Sequence, residues 1–213
     1  MVLFFETSSG HVIYMGADKF ENEDLIAYGI PTDYWFHVDD MSSAHVYLRL
    51  KGGETIENVS KEAIKECAVL VKANSIEGCK RSEVTVIYTP WSNLHKTADM
   101  EVGAIGFHDR KLVTRMKASK EGPIVNRLNK TKREEHPDLQ ALQQAYARSQ
   151  IVLAKEEKKE RIRREEAERA AAEAHKRLTS YDTVFESGAT ISNKQIIGGE
   201  SDLTAKQFED DFM

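Results

Sequence analysis

The sequence predicts an α+β fold. A compact head with a mainly antiparallel sheet and a packed helix is followed by a long charged α-helix and a disordered acidic tail. Three observations predict this. Residues 33–38 and 45–50 are aromatic and β-branched and alternate with period two, across a short polar connection, which is the pattern of paired half-buried strands. Residues 58–74 place Val59, Ala63, Cys67 and Leu70 at helical spacing, with Lys61, Glu62, Lys65 and Glu66 on the other side. Residues 139–178 contain no Gly or Pro, and between 155 and 169 only Ile162 and Ala167 are uncharged.

Taken in order, residues 2–6 and 11–15 are two short strands around the turn-forming Thr7-Ser8-Ser9-Gly10. Asp18 followed by Glu21 is a helix start, Phe20, Leu25 and Ile26 supply an apolar side, and Gly29 and Pro31 end the segment. The hairpin of residues 33–50 comes next, then the flexible Lys51-Gly52-Gly53-Glu54 and the 58–74 helix. Residues 84–88 form a strand closed by Thr89-Pro90; residues 104–107 form a weaker strand, with Leu112-Val113 last. From residue 110 to 133 nine side chains are basic and Glu121 alone is acidic; with Gly122-Pro123 as a breaker, residues 118–137 are expected to be a basic linker. The helix of residues 138–178 keeps an apolar stripe (Leu139, Leu142, Tyr146, Leu153) for about two heptads. Its charges then fall in i,i+4 order at Glu157/Arg161, Glu160/Arg164 and Glu165/Arg169, as in a solvated, salt-bridged single helix. The Gly/Ser/Thr-rich tail, 179–213, ends in Phe208-Glu209-Asp210-Asp211-Phe212-Met213, and is read as lacking stable structure.

Charge is unevenly placed along the 213 residues. Residues 1–117 carry 13 basic and 17 acidic groups, 118–179 carry 15 and 11, and 180–213 carry 2 and 7. Two cysteines, Cys67 and Cys79, with no Cys-x-x-Cys exclude a disulfide framework and a zinc finger, and imply a reducing intracellular setting, cytoplasmic or nuclear. Met1-Val2-Leu3-Phe4-Phe5 is too short for a signal peptide, and no run approaches the roughly 18 apolar residues of a membrane span. Peripheral membrane association is left open.

The hairpin carries the chemistry. Pairing its apolar sides requires residues opposite each other to sum to an even number. The compact register sets Asp33 against Arg49, Trp35 against Tyr47 and His37 against His45. One face is then apolar; the other presents aromatic rings, two imidazoles and an ion pair. Such a face suits stacking of unpaired bases, at roughly 1–3 kcal/mol each. The alternative is that another element covers it and Trp35 is core. Two histidines without a third ligand do not make a zinc site. Ser42 and Ser43 beside His45 lack a Gly-x-Ser-x-Gly elbow, and no phosphate-binding loop is present, so neither an enzyme nor a cofactor is expected.

At Asp33-x-Trp35-x-His37, followed by Ser43-Ala44-His45-Val46, the sequence resembles the NFACT-R family, the presumed RNA-binding domain of ribosome quality-control factors. Gly16 and Asn22-Glu23-Asp24-Leu25 precede this motif as in the family. Ala63, Ala68, Ser75, Val84-x-Val86-x-Tyr88-Thr89, Lys96 and Gly103 follow it, so the resemblance covers about residues 1–115. A short head before a charged helix is similar to the stand-alone branch of the family. The family's usual Gly-Ser-His reads Ser43-Ala44-His45 here. The resemblance implies nucleic-acid or ribosome association, no catalysis, and motif positions Asp33, Trp35, His37, His45 and Lys96.

The expectation is therefore an NFACT-R-like domain over residues 1–117 that binds nucleic acid without catalysis. Trp35 and Tyr47 stack; His37 and His45 form hydrogen bonds; Arg49, Lys96, Arg110, Lys111, Arg115 and Lys117 meet phosphates; Asp33 holds Arg49. RNA in a ribosome-related setting is favoured, and DNA is the alternative because phosphate contacts serve both. A second alternative is a scaffold that recruits a protein partner through the 138–178 helix or the acidic tail.

Overall fold

The period-two runs become one antiparallel sheet in the computed structural model, which describes residues 1–97 and 99–179. Strands β1 (Val2–Glu6) and β2 (Val12–Gly16) lead into helix α1 (Lys19–Ala27). Asp18 caps α1, its carboxylate accepting from the backbone N–H groups of Phe20 and Glu21. Strands β3 (Asp33–Val38) and β4 (Val46–Arg49) follow, then helix α2 (Lys61–Ala73) and strand β5 (Glu83–Pro90). A small separate hairpin is made by β6 (Leu94–His95) and β7 (Gly106–Phe107). The head closes with β8 (Thr114–Ser119), helix α3 (Gly122–Lys130) and β9 (Arg133–Glu135). Helix α4 spans Leu139–Thr179.

The main sheet has seven strands in the order β8-β5-β3-β4-β2-β1-β9, with every neighbour antiparallel. The register of the central hairpin sets Asp33 opposite Arg49 and Trp35 opposite Tyr47, as the matching of apolar sides requires. One face of the sheet carries Phe36, Val38, Val46 and Leu48. It packs against Ala63, Cys67, Leu70 and Val71 of α2 and against Leu128 of α3. Each fully buried aliphatic side chain there contributes roughly 1.5–3 kcal/mol. Cys67 is buried in this layer, and burial pushes its thiol pKa up.

The basic segment after residue 117 is not a linker. Lys117 and Ser119 belong to β8, which pairs along its length with β5. Gly122-Pro123 starts α3 rather than breaking one. Proline fits the first helical turn because the N–H it lacks would have no partner there. Leu128 is fully buried, and Arg127 pairs with the buried Glu66 of α2 at 2.5 Å. Strand β9 then adds to the edge of β1. The strand expected at 112–113 is instead the end of a 3-10 turn, Arg110–Leu112, and the strand itself begins at Thr114.

The chain divides into two units, Met1–Gln150 and Ile151–Met213, the second described through Thr179. In the first, Leu139 packs on the second sheet face, and Gln143 donates to the Gly29 carbonyl at 3.0 Å. In the second, the helix side chains are exposed, as the loss of the apolar stripe requires. Its ion pairs differ in partner from those expected: Arg161 meets Glu165 and Arg163 meets Glu160. The tail from residue 180 lies outside the described residues.

Candidate nucleic-acid interface

The second face of the sheet carries the residues singled out by sequence. Tyr14, Trp35 and Tyr47 lie in it, and rings continue along it. Tyr14 stacks on Tyr47 at 5.0 Å, Trp35 on His37 at 5.1 Å, and His37 meets His45 edge-on at 4.9 Å. The face is largely covered, however. Leu25 of α1, Leu94 of β6, Phe107 of β7 and Trp91 pack onto it. Trp91 reaches its place because Gly29 has no Cβ; one built there would lie 2.2 Å from the indole nitrogen. The indole N–H donates to the Ile26 carbonyl.

This corrects the stacking assignment. Trp35 is 2% exposed and Tyr47 0%, so neither offers a ring to a base. They are the inner layer of a second core, because β3 and β4 are central strands and the β6–β7 hairpin lies over them. His45 is also buried, and its Nδ1 accepts from the Trp35 indole N–H at 3.2 Å. Burial, then the positive charges of His37 and Lys96, push the His45 pKa down to about 3. Burial likewise lowers that of His37. Both imidazoles are neutral near pH 7, so neither serves as a cation for phosphate. His37 remains partly exposed.

Asp33 does hold Arg49, and it does more. Its carboxylate is fully buried and accepts from Arg49 Nε at 2.9 Å and Nη2 at 3.1 Å, from the Tyr14 hydroxyl at 2.6 Å and from the Ile30 N–H at 3.2 Å. Burial alone would lower the Arg49 pKa, but the hydrogen bonds and charge of Asp33 outweigh it and hold the pKa above its ordinary value. Burial, with the Asp33 charge next, raises that of Tyr14. Arg49 is thus half of a fork-to-fork pair, not a phosphate ligand.

Lys96 is likewise structural. All three ammonium protons have acceptors: Glu23 Oε1 at 2.9 Å and the carbonyls of Glu101 and Ala104 at 2.8 and 3.0 Å. Glu23 also accepts from the Gly103 N–H at 2.7 Å, in a turn where Gly103 takes φ 87°. This clamp fastens the β6–β7 connection to α1.

The remaining cations of the set are exposed. Arg110 and Lys111 sit exposed on the turn before β8, with no ion pair among the described residues. Arg115 and Lys117 project from edge strand β8 on the same sheet face, opposite Ile87 and Thr85. They pair with Asp39 and Glu83 at 2.9 Å, in solvent-screened contacts that contribute little. Beside them the sheet face is left open. A groove of about 640 Å³ is lined by Ile87, Phe107, His95, Arg110 and Arg115. Asp39 and Asp40 line it too. Phe107 and His95 were not legible as site residues in the sequence, and Asp39 and Asp40 drew notice only as neighbours of the two histidines. The only available signal was the weak apolar run Ala104-Ile105-Gly106-Phe107, which needs a hairpin folded across the sheet to acquire a role. Among the described residues no cluster of three or more His, Cys, Asp or Glu could hold a metal, and no helix is long and apolar enough to cross a membrane.

An antiparallel sheet, covered on one side by helices and open to a cation-lined groove on the other, is the class of domain defined here. Residues 1–109 match the model of the NFACT protein RNA binding domain, and the chain belongs to that family. It is 50% identical to Coiled-coil domain-containing protein 25 of Bos taurus over 209 residues, covering 95% of this chain and 99% of that protein. It is 50% identical to the Coiled-coil domain-containing protein 25 homolog of Dictyostelium discoideum over 141 residues, 65% of this chain and 68% of the other. Protein JLP2 of Saccharomyces cerevisiae is 40% identical over 141 residues, 62% and 68% of the two chains. The solved C-terminal structure of the fibronectin/fibrinogen-binding protein from Streptococcus suis superposes with a TM-score of 0.50 at 17% identity, covering 61% of this chain and 49% of that one. That likeness concerns the fold alone.

Proposed function

We propose that this protein is a non-catalytic RNA-binding protein of a ribosome-related setting, holding RNA at the β3–β5–β8 end of the sheet. The observation that carries the reading is the set of four exposed cations on the turn before β8 and on β8, Arg110, Lys111, Arg115 and Lys117, of which Arg110 and Arg115 line the groove. Membership of the RNA-binding-domain family supports the same conclusion. Cations on an edge strand give a salt-dependent, sequence-independent attraction, and the groove supplies contacts that salt does not weaken. Full-length protein titrated against labelled single-stranded and duplex RNA and DNA, from low to physiological salt, tests this. Single-stranded RNA should bind best, and Arg110→Glu with Lys111→Glu should weaken binding and flatten its salt slope by about two. Unchanged binding in that variant would refute the site. Equal affinity for RNA and DNA would favour the DNA reading, because only contacts to the 2′-hydroxyl separate the two.

A further inference from the structure

The groove divides its charges in a way that phosphate binding alone does not explain. Arg110 and Arg115 line it together with Asp39 and Asp40. A carboxylate repels phosphate and can only accept hydrogen bonds. Asp39 is held by Arg115, its Oδ2 accepting from Nε at 2.9 Å. Asp40 is exposed, adopts φ 57°, and has no hydrogen bond or ion pair among the described residues. The lining also holds the apolar side chains of Ile87, Ile105, Phe107 and Val113. An apolar groove that also offers a carboxylate acceptor and a nearby cation suits a base flanked by its own phosphates.

Resting on the RNA-binding reading above, we propose that this groove receives one unpaired guanine of the bound RNA. The ring lies against Phe107 and Ile87, the carboxylate of Asp40 accepts from N1–H and the N2 amino group, and Arg110 and Lys111 meet the adjoining phosphates. Size permits this: about 640 Å³ is within the range of sites that enclose a small molecule. Specific recognition of RNA works on unpaired bases, whose edges are free. The choice of guanine follows from donor count. Its Watson–Crick edge offers two adjacent donors to a carboxylate. Adenine and cytosine set a donor beside an acceptor, and the single donor of uracil lies between two acceptors.

The test is fluorescence anisotropy of the full chain with labelled oligouridines that carry one central G, A, C or U, and with the G oligomer annealed to its complement. The central G should bind about fivefold tighter or more than the other three, and pairing it should remove that advantage. Asp40→Asn should bring the G-to-U ratio close to one; since Asp40 is exposed, the variant is expected to fold, and tryptophan fluorescence checks it. A wild-type ratio near one, with binding still dependent on Arg110 and Lys111, would overturn the guanine site and leave the phosphate reading standing. A G preference that survives Asp40→Asn would also overturn it. Failure to bind any oligonucleotide would overturn both readings together.

Discussion

Asp33→Ala probes the polar centre of the second core. The substitution removes the acceptor of four hydrogen bonds, leaving Tyr14 and Arg49 without their carboxylate. Breaking a buried ion pair by deleting one partner costs about 3–5 kcal/mol. The Arg49 side chain is 32% exposed, so its guanidinium can recover some hydration, which favours the lower end, about 3 kcal/mol. At about 2–4 °C per kcal/mol for a domain of this size, the midpoint should fall by roughly 6–12 °C. Trp35 and Trp91 both lie in the first unit, so urea denaturation followed by tryptophan fluorescence reports on the head without interference from α4. Arg49→Met and the double variant complete a cycle, and the coupling energy should exceed about 1 kcal/mol. A loss below about 1 kcal/mol in Asp33→Ala, or a coupling near zero, would refute the role of Asp33 as the hub of this face.

Trp35→Ala should cost about 3–5 kcal/mol by opening a cavity, so any loss of RNA binding would accompany loss of fold; a variant of wild-type stability would contradict the burial of this ring. His45 is held neutral down to about pH 3, whereas its unfolded imidazole titrates near 6.5. The unfolded state therefore takes up the extra proton first, and stability should fall as pH drops from about 6.5 toward 3, by up to about 1.4 kcal/mol per pH unit. Denaturation midpoints across that range should lose much of this slope in His45→Gln. A fragment ending at residue 117 lacks α3 and β9, and with them the buried Leu128 and the Arg127–Glu66 pair, so it should be far less stable than residues 1–150 by circular dichroism. Equal stability of the two fragments would restore the linker reading.

Much of the fold was legible because local pattern and tertiary need agree. The alternation of Asp33 to Val38 fixed both the strand and its register, since a slip of one would bury the Asp33 side with the α2 layer. The spacing of Val59, Ala63, Cys67 and Leu70 fixed the packed side of α2 in the same way. The site was less legible, for a reason of the same kind. Periodicity shows which residues share a face, not what lies on top of it. Trp35, Tyr47 and His45 share one, but α1 and the chain after β5 decide that they are covered, through contacts far apart in sequence. Lys96 looked like a free cation because its partner, Glu23, sits on another element. Residues 118–135 misled through composition, since their charges point outward from elements pinned by a few buried groups such as Leu128. Arg110, Lys111, Arg115 and Lys117 stayed available because they fall on a turn and an edge strand.

The central claim is that RNA lies at the β3–β5–β8 end of the head. Ultraviolet cross-linking of the full chain to a single-stranded RNA, with the linked peptides identified by mass spectrometry, tests it most directly. The account predicts links within residues 105–117 and none on the basic stretch of α4. Links confined to residues 155–177, with the head untouched, would contradict it.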